Sequence, residues 1–334
     1  MLLFWGLIFV GSLVLLVKGA DWFIENSEKI GLAFKISPFI IGVTIVAIGT
    51  SFPELASSLA AVFKDTTEIV AANVIGSNIA NILLIIGLSA IAAKKLAVRR
   101  SLIDIDLPLL ASTAVLFGFI FWDKKIVWQE GILLLFAFFV YLFYTFTQRE
   151  EIETKKPLPE EMIPEEIFEI LPSRIERRKV KEPSKKLSFR TFFFLILGII
   201  FLCIGANYLV DSILELSQIL KIGVSVIAIL GVAVGTSLPE LIVSLKAALM
   251  KKYEIALGNI FGSNVLNLLL IMGLPALLKT LIVDEITFKI GFPFMAVATF
   301  LLVISGITRR ISTWEGSMFL LIYLLFIIKL FGIF

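Results

Sequence analysis

The sequence predicts an all-α integral membrane protein of ten transmembrane helices, arranged as two inverted five-helix repeats with broken helices at the membrane midplane. Three observations support this fold class. Of the 334 residues, 59% are hydrophobic and only 17% are charged, and one half of the chain repeats in the other. A soluble domain usually has about a quarter charged residues. Because the charges also avoid apolar runs of about twenty residues, we expect those runs to cross a bilayer.

The apolar windows fall into two groups of five. The first group is 2–24, 37–63, 68–92, 102–121 and 127–147, and the second is 189–217, 223–250, 254–278, 285–307 and 313–333. The chain therefore divides into a first five-helix repeat at 1–147, a charged linker at 148–188 and a second five-helix repeat at 189–334. The first window lacks the basic start and the cleavage site of a signal peptide, so we expect it to stay in the protein.

Lysines and arginines in the short loops predict the orientation. Placing the amino terminus outside leaves more of them in cytoplasmic loops, among them Lys94, Lys95, Lys251 and Lys252. We expect both termini to be extracellular, the linker to be cytoplasmic, and the protein to lie in the cell (plasma or inner) membrane.

Composition also excludes several classes of function. The chain has no histidine, and its one cysteine, Cys203, lies in an apolar stretch, so imidazole or thiolate metal sites and Ser-His catalysis are not expected. The net charge of +3 is scattered, which argues against nucleic-acid binding. We expect no enzyme activity, no organic cofactor and no obligatory protein partner.

The internal repeat appears when the sequence is shifted by 186 positions, where 23 of the 43 residues from 46 to 88 are identical. Polar residues and helix breakers are among the residues that repeat. The run 49–54, Gly-Thr-Ser-Phe-Pro-Glu, matches 235–240, and Gly76-Ser77-Asn78 with Asn81 matches Gly262-Ser263-Asn264 with Asn267. An odd number of spans per half makes the repeats inverted, which is typical of secondary transporters that bind substrate between the halves.

Glu54 and Glu240 are the strongest candidates for a cation site. Each lies inside an apolar span, where an ionised carboxylate costs several kcal/mol unless it has a partner. Lys246 falls on a different helix face from Glu240, so a mobile cation is the simplest partner. Carboxylates, together with hydroxyls and carbonyls around Thr50, Ser51, Thr236 and Ser237, are hard oxygens that suit calcium.

Two further features support cation coordination. Pro53 and Pro239 lack an amide hydrogen, so each frees a carbonyl about four residues earlier. Ser77 and Asn81, like their counterparts in the second repeat, lie one helical turn apart and offer neutral oxygens that can hold monovalent ions. Hydrogen bonding between helices is the alternative for this second cluster.

Other polar residues receive no ion-binding role. For Asn73 and Asn259 we favour hydrogen bonds between helices over direct ion contact. Acidic residues near predicted helix ends, including Asp104 and Asp106, are expected in solvent or at the membrane interface.

The doubled motif resembles the two alpha-repeats of the calcium/cation antiporter superfamily, with the sodium/calcium exchangers as the most similar branch. This resemblance implies antiport of calcium against sodium at one central site that opens alternately to either side. It implies that Glu54 and Glu240 hold calcium, with the backbone carbonyls of Thr50 and Thr236. It further implies sodium sites at Ala47, Ser51, Ser77, Asn81, Ala233, Ser237, Ser263 and Asn267. The first and sixth helices are expected to slide against the other eight.

The chain differs from many members of the superfamily at one position that bears on the counter-ion. Many prokaryotic members and the potassium-dependent exchangers of this superfamily have an aspartate where this chain has Asn267, so the resemblance argues against potassium co-transport. Antiport of calcium, or another divalent cation, against protons stays open as the alternative, because two buried glutamates can bind protons. A passive channel and an intramembrane enzyme are the less favoured alternatives.

Overall fold

The computed structural model describes residues 1–34, 38–63, 65–97, 106–154, 188–219 and 237–332. Nearly all of these residues are helical. We number the helices α1 (Leu2–Ala33), α2 (38–50), α3 (Phe52–Phe63), α4 (Glu68–Ala92), α5 (Leu107–Ile120), α6 (Trp128–Thr154), α7 (Phe189–Ile219), α8 (Leu238–Leu249), α9 (Tyr253–Leu278), α10 (Thr287–Ile307) and α11 (Thr313–Leu330).

Six of these helices are long and apolar enough to cross a membrane, namely α1, α4, α6, α9, α10 and α11. The bent pair α2 and α3 adds a seventh if it is counted as one span. The bounds of α4 coincide with the predicted window 68–92, and α1 runs past the predicted end at residue 24. Helix α6 continues to Thr154, and residues 155–187 of the predicted linker lie outside the described part of the chain.

Helices α4 and α9 form the centre of the molecule. About four fifths of the apolar window in each is buried, whereas α1 and α11 bury less than a fifth of theirs. Both central helices change from α-helical to π-helical hydrogen bonding, over Ala80–Ile86 in α4 and Asn267–Ile271 in α9. Such π-helical turns occur frequently at functional sites.

The proline motif coincides with a departure from helical geometry in both repeats, at Ser51 and at Ser237. Helices α2 and α3 meet at an angle of 47°, with Ser51 between them and Pro53 in the first turn of α3. Ser51 has φ −84° and ψ 7°, and Ser237, which precedes α8 and Pro239, has φ −85° and ψ 7°. The equivalent residues therefore adopt the same backbone conformation, as expected when a proline removes the same helical hydrogen bond from each repeat.

Small residues bring α1 and α7 into close contact at two equivalent points. A Cβ atom on Gly19 would lie 2.9 Å from the carbonyl oxygen of Gly198, and one on Gly205 would lie 3.1 Å from that of Ser12. Since a shift of 186 relates Gly19 to Gly205 and Ser12 to Gly198, one contact is the pseudo-symmetric copy of the other. Small residues at such crossings let membrane helices approach closely.

The two halves are interleaved rather than side by side. Gly87 of α4 meets Gly316 of α11, and the equivalent Gly273 of α9 meets Gly131 of α6. Four short strands also pair between the halves. Strand β1 (Lys95–Ala97) pairs antiparallel with β4 (Arg310–Ser312), and β2 (Lys125–Ile126) pairs antiparallel with β3 (Leu281–Ile282). Each half thus contributes helices and strands to the packing of the other.

Asp106 is buried, which differs from the position in solvent that the sequence predicted. It precedes α5 and is only 1% exposed, so of the two expected positions the one in solvent is wrong, and the one at the membrane interface stays a prediction. The start of α5 is covered by the end of α10, where a Cβ atom on Gly306 would lie 2.2 Å from Leu107. Asp104 lies outside the described residues.

Candidate functional site

The candidate site lies where the two helix breaks meet the central helices. Glu54 and Glu240 occupy the first turns of α3 and α8, directly after the breaks, and each is 1% exposed. The sequence placed both carboxylates inside apolar spans, and the structure buries both of them. A buried carboxylate is stable only with compensating hydrogen bonds or a cation.

Ser51 connects the two repeats at this site. Its hydroxyl donates to Oε1 of Glu240 at 2.8 Å and is hydrogen-bonded to the hydroxyl of Ser263 at 3.0 Å. The break of the first repeat thus contacts both a carboxylate and a central-helix hydroxyl of the second repeat. Three residues that the sequence singled out separately therefore share one buried cluster.

Thr50 is held by a second set of contacts between repeats. Its hydroxyl donates to Oδ1 of Asn259 at 3.0 Å, and the Asn259 amide donates to the hydroxyl of Ser244 at 2.8 Å. In the first repeat, Asn73 donates to the hydroxyl of Ser57 at 3.2 Å. The expectation that Asn73 and Asn259 hydrogen-bond between helices is confirmed. These contacts fix the Thr50 side chain and leave its backbone carbonyl next to the break.

Four asparagines form a crossed pair between α4 and α9. Asn81 donates to Oδ1 of Asn264 at 3.2 Å, and Asn267 donates to Oδ1 of Asn78 at 3.0 Å. The pseudo-symmetry of the repeats exchanges these two hydrogen bonds. Each bond uses an amide hydrogen of Asn81 or Asn267. The Oδ1 atom of the same side chain does not take part in that bond and can coordinate a cation.

Asn78 and Asn264 are the residues that sequence reasoning left out of the site. They were part of the repeated motif, but their duplication gave no sign that they orient Asn81 and Asn267 through the opposite repeat. Asn78 also donates to the backbone carbonyl of Asn264 at 3.3 Å. The four side chains are buried and belong to the two central helices, which makes them a rigid support for the site.

Several buried oxygens at the site receive no hydrogen bond in the described part of the chain. They are Oε2 of Glu240, Oγ of Ser237, and the Oδ1 atoms of Asn81 and Asn267. Buried acceptors are normally hydrogen-bonded, so unpaired ones call for a water or an ion. These four atoms are hard oxygens, and neither a thiol nor an imidazole stands among them, which fits sodium or calcium better than a soft metal.

Two of the remaining predicted ligands, Ala47 and Ser77, are buried in helices of the first repeat. Ala47 is buried in α2 beside α9, and a Cβ atom on Gly262 would lie 2.7 Å from its side chain. Ser77 is fully buried in α4. Thr236 and Ala233 lie outside the described residues.

Lys246 does not neutralise Glu240. Its ammonium group pairs with Asp21 of α1 at 2.5 Å. This agrees with the prediction that Lys246 and Glu240 occupy different helix faces. The described residues also contain no cluster of three or more Asp, Glu, His or Cys side chains that could hold a metal ion. The site therefore has two carboxylates and otherwise neutral oxygens among its described residues.

Comparisons with known proteins find relatives that match nearly the whole chain. A family model described as sodium/calcium exchanger protein matches residues 4–147 and 190–332. The chain is 34% identical to the sodium/calcium exchanger MaX1 of Methanosarcina acetivorans over 98% of each chain, and 31% identical to the putative antiporter CaxA of Alkalimonas amylolytica over 94% of each. A solved structure of the sodium-calcium exchanger NCX_Mj superposes with a TM-score of 0.78 at 30% identity, covering 98% of both chains. This multi-pass membrane protein belongs to the sodium/calcium exchanger family.

Proposed function

We propose that this chain is a secondary active antiporter that exchanges sodium for calcium by alternating access at a central site of Glu54 and Glu240. The observation that carries the proposal is the pair of buried carboxylates beside acceptor oxygens that receive no hydrogen bond from the described residues. A buried carboxylate costs several kcal/mol unless hydrogen bonds or a cation compensate its charge. Two buried negative charges favour the loaded site over the empty one, and this preference couples the movement of one ion to the movement of the other.

The ligand set supports competition between calcium and sodium for one binding site. Two carboxylates match the charge of one calcium or of two sodium ions. We assign calcium to Glu54 and Glu240 with the carbonyls of Thr50 and Thr236. We assign sodium to the oxygens at Ala47, Ser51, Ser77, Asn81, Ala233, Ser237, Ser263 and Asn267. Both MaX1 and NCX_Mj are named as sodium/calcium exchangers, which agrees with this choice of ions.

The helix packing supports the proposed topology. Ten spans in two inverted repeats account for the paired glycine contacts and the paired strands, because each contact has a copy at the equivalent positions of the other half. In this topology residues 1–147 and 189–334 are the repeats and 148–188 is a cytoplasmic linker. Both termini are then extracellular, and the protein acts in the cell membrane on ions alone, with no chemical step.

Alternating access needs a unit that moves past the site. Helices α1 and α7 cross at Gly19 and Gly198 and run alongside each other, so they form a compact pair at the side of the bundle. The glycines at the crossing let the two backbones approach closely, so the two helices pack directly against each other. We therefore assign the movement to this pair, with the other helices holding the ligands.

Calcium-45 uptake into proteoliposomes tests the proposal. Vesicles loaded with sodium and diluted into sodium-free medium are compared with potassium-loaded vesicles and with vesicles carrying only a proton gradient. We expect uptake only when sodium is inside. Uptake that needs no gradient of sodium or protons would indicate a channel and would contradict the proposal.

A second candidate is antiport of calcium against protons. The observation that favours it is the burial of both glutamates, since a carboxylate in apolar surroundings binds a proton more readily than one in water. In the experiment above, uptake driven by the proton gradient and insensitive to internal sodium would establish this alternative.

A further inference from the structure

We propose that two ion pairs form a one-sided latch, which holds α1 against the second repeat at one membrane face and favours the conformation seen here. The pairs join Asp21 to Lys246 and Glu28 to Lys252, each at 2.5 Å. The inference rests on the proposed alternating access, because a latch has an effect only if the carrier has a second conformation.

The geometry of the pairs suits a latch. Asp21 and Glu28 are seven residues apart on α1 and therefore lie on one face of that helix. Lys246 belongs to α8, and Lys252 immediately precedes α9, so both bonds cross from the first repeat to the second. Lys246 also donates to the backbone carbonyl of Val17 at 3.3 Å. One sliding helix is thus tied at two points to a hairpin of the ligand-bearing helices.

The four charged side chains are partly shielded from solvent. The exposed fractions are 24% for Lys246 and 37% for Asp21, and 24% for Lys252 and 32% for Glu28. Another pair on the same helix, Glu25 and Lys29, is 59% and 51% exposed and links two residues of α1 only. The latch pairs are better shielded than this pair and join separate elements, so breaking them changes how the elements pack.

The latch has no counterpart in the other half. A shift of 186 takes Asp21 and Lys246 to Asn207 and Ala60, and it takes Glu28 and Lys252 to Leu214 and Thr66. These four residues carry no charge. When inverted repeats exchange conformations, the contacts between α1 and α8 become contacts between α7 and α3. The second conformation therefore gains no ion pair at these four equivalent positions.

The packing of the two sliding helices, α1 and α7, also differs between the halves. Helix α1 packs along α8, whereas in the described part of the chain α7 makes no comparable contact with α3. The structure thus shows one of two exchangeable conformations, closed between α1 and α8 at the face of Lys252. Because the ion pairs exist only in this conformation, they shift the equilibrium toward it.

Neutralising the latch tests the inference. The variant Asp21→Asn with Glu28→Gln is reconstituted in a known orientation, and the apparent calcium affinity is measured from each membrane face. We expect affinity to improve at the Lys252 face relative to the opposite face by about two- to tenfold, the range that two partly exposed ion pairs provide. Glu25→Gln, which removes a charge from the same helix without breaking a contact between elements, should leave the ratio at the wild-type value.

Two more variants test the inference if the neutral variant, Asp21→Asn with Glu28→Gln, folds poorly. Their readout is again the ratio of the apparent calcium affinities at the two membrane faces. Exchanging the charges, with Asp21→Lys and Lys246→Asp, should restore the wild-type ratio. Moving the latch to the other half, with Ala60→Lys and Asn207→Asp in the neutral variant, should shift the ratio in the opposite direction. An unchanged ratio in both the neutral and the moved variants would overturn the latch.

A distance measurement separates failure of the latch from failure of the proposed function. In a Cys203→Ala background, spin labels at Phe34→Cys and Met250→Cys report the separation of α1 from the end of α8. We expect neutral-latch variants to populate longer distances than wild type. If the wild type shows no sodium-driven exchange but the neutral-latch variants show the longer distances, the antiporter proposal alone is refuted. If the wild type exchanges sodium for calcium but the neutral-latch variants show no longer distances, the latch alone is refuted.

Discussion

Charge is the decisive property of Glu54 and Glu240 at the scale of the residue. Both are buried at equivalent breaks, and Ser51 donates to Glu240 across the boundary between the repeats. A glutamine at either position keeps the shape of the side chain and its ability to accept a hydrogen bond. It removes one of the two negative charges that offset a divalent ion.

We expect Glu54→Gln and Glu240→Gln each to abolish calcium exchange, because calcium would then face a single carboxylate among neutral oxygens. The measurement is sodium-driven calcium-45 uptake into proteoliposomes at matched protein content. Glu25→Gln serves as the control, since Glu25 is an exposed residue paired with Lys29. Near-normal exchange in either site variant would mean that calcium is not held by this pair.

Asn267 determines the fixed charge of the proposed site. Its amide donates to Asn78, and its Oδ1 atom receives no hydrogen bond in the described part of the chain. We expect Asn267→Asp to raise the affinity for cations or protons, because a third carboxylate adds repulsion that a bound cation or proton relieves. Exchange would then depend more strongly on pH, which uptake between pH 6 and 9 measures. The same pH and ion dependence as wild type would show that Asn267 does not line the site.

At the scale of the element, close contact between α2 and α9 positions the ligands. Ala47, in α2, and Gly262, in α9, touch, and the π-helical turns begin within a few residues of Ser77 and Ser263. Glycine is required at position 262 because no side-chain atom fits between the two backbones. The sequence repeats this glycine at Gly76, in the same position relative to the serine and asparagines.

We expect Gly262→Ala to destabilise the protein by about 3 kcal/mol, the upper range for an overpacked interior. The new Cβ atom would lie 2.4 Å from the carbonyl oxygen of Val43, a backbone atom that cannot move without shifting α2. Thermal unfolding in detergent measures the change. Gly11→Ala is the matched control, since no atom lies within 4 Å of its Cβ position. Equal melting temperatures for the two variants would show that α2 adjusts easily.

At the scale of the whole molecule, the interleaved halves make one structural unit. Helices α6 and α11 each pack on a central helix of the opposite repeat, and the strands pair in the same exchanged way. Ligands at the proposed site come from both repeats, so an ion bound there would bridge them. Ion binding and global stability should therefore be coupled.

We expect calcium at about one hundred times its dissociation constant to stabilise the detergent-solubilised protein by about 2.7 kcal/mol. Removing calcium with a chelator should reverse the gain, and thermal unfolding monitored by tryptophan fluorescence measures both. The double variant Glu54→Gln with Glu240→Gln should show no shift on adding calcium. A calcium shift of wild-type size in that variant would place the stabilising ion elsewhere.

The sequence by itself determined the membrane class, the repeat, the two breaks and the carboxylates. These features follow from local rules, since the bilayer requires long apolar runs and proline interrupts a helix wherever it occurs. The span 68–92 and the conformation shared by Ser51 and Ser237 agree with predictions of this kind. Matching the halves also identified the polar residues that the structure gathers around Ser51 and Glu240.

Only the tertiary structure decided which of these residues touch. The crossed bonds from Asn81 to Asn264 and from Asn267 to Asn78 join positions more than 180 residues apart, and no periodicity encodes such pairings. Asp106 was misplaced for the same reason, because helix packing covers a position that the sequence marks as a helix end. The ion pairs of α1 also depend on tertiary packing, since a charge stabilises one conformation only where another element brings the opposite charge within reach.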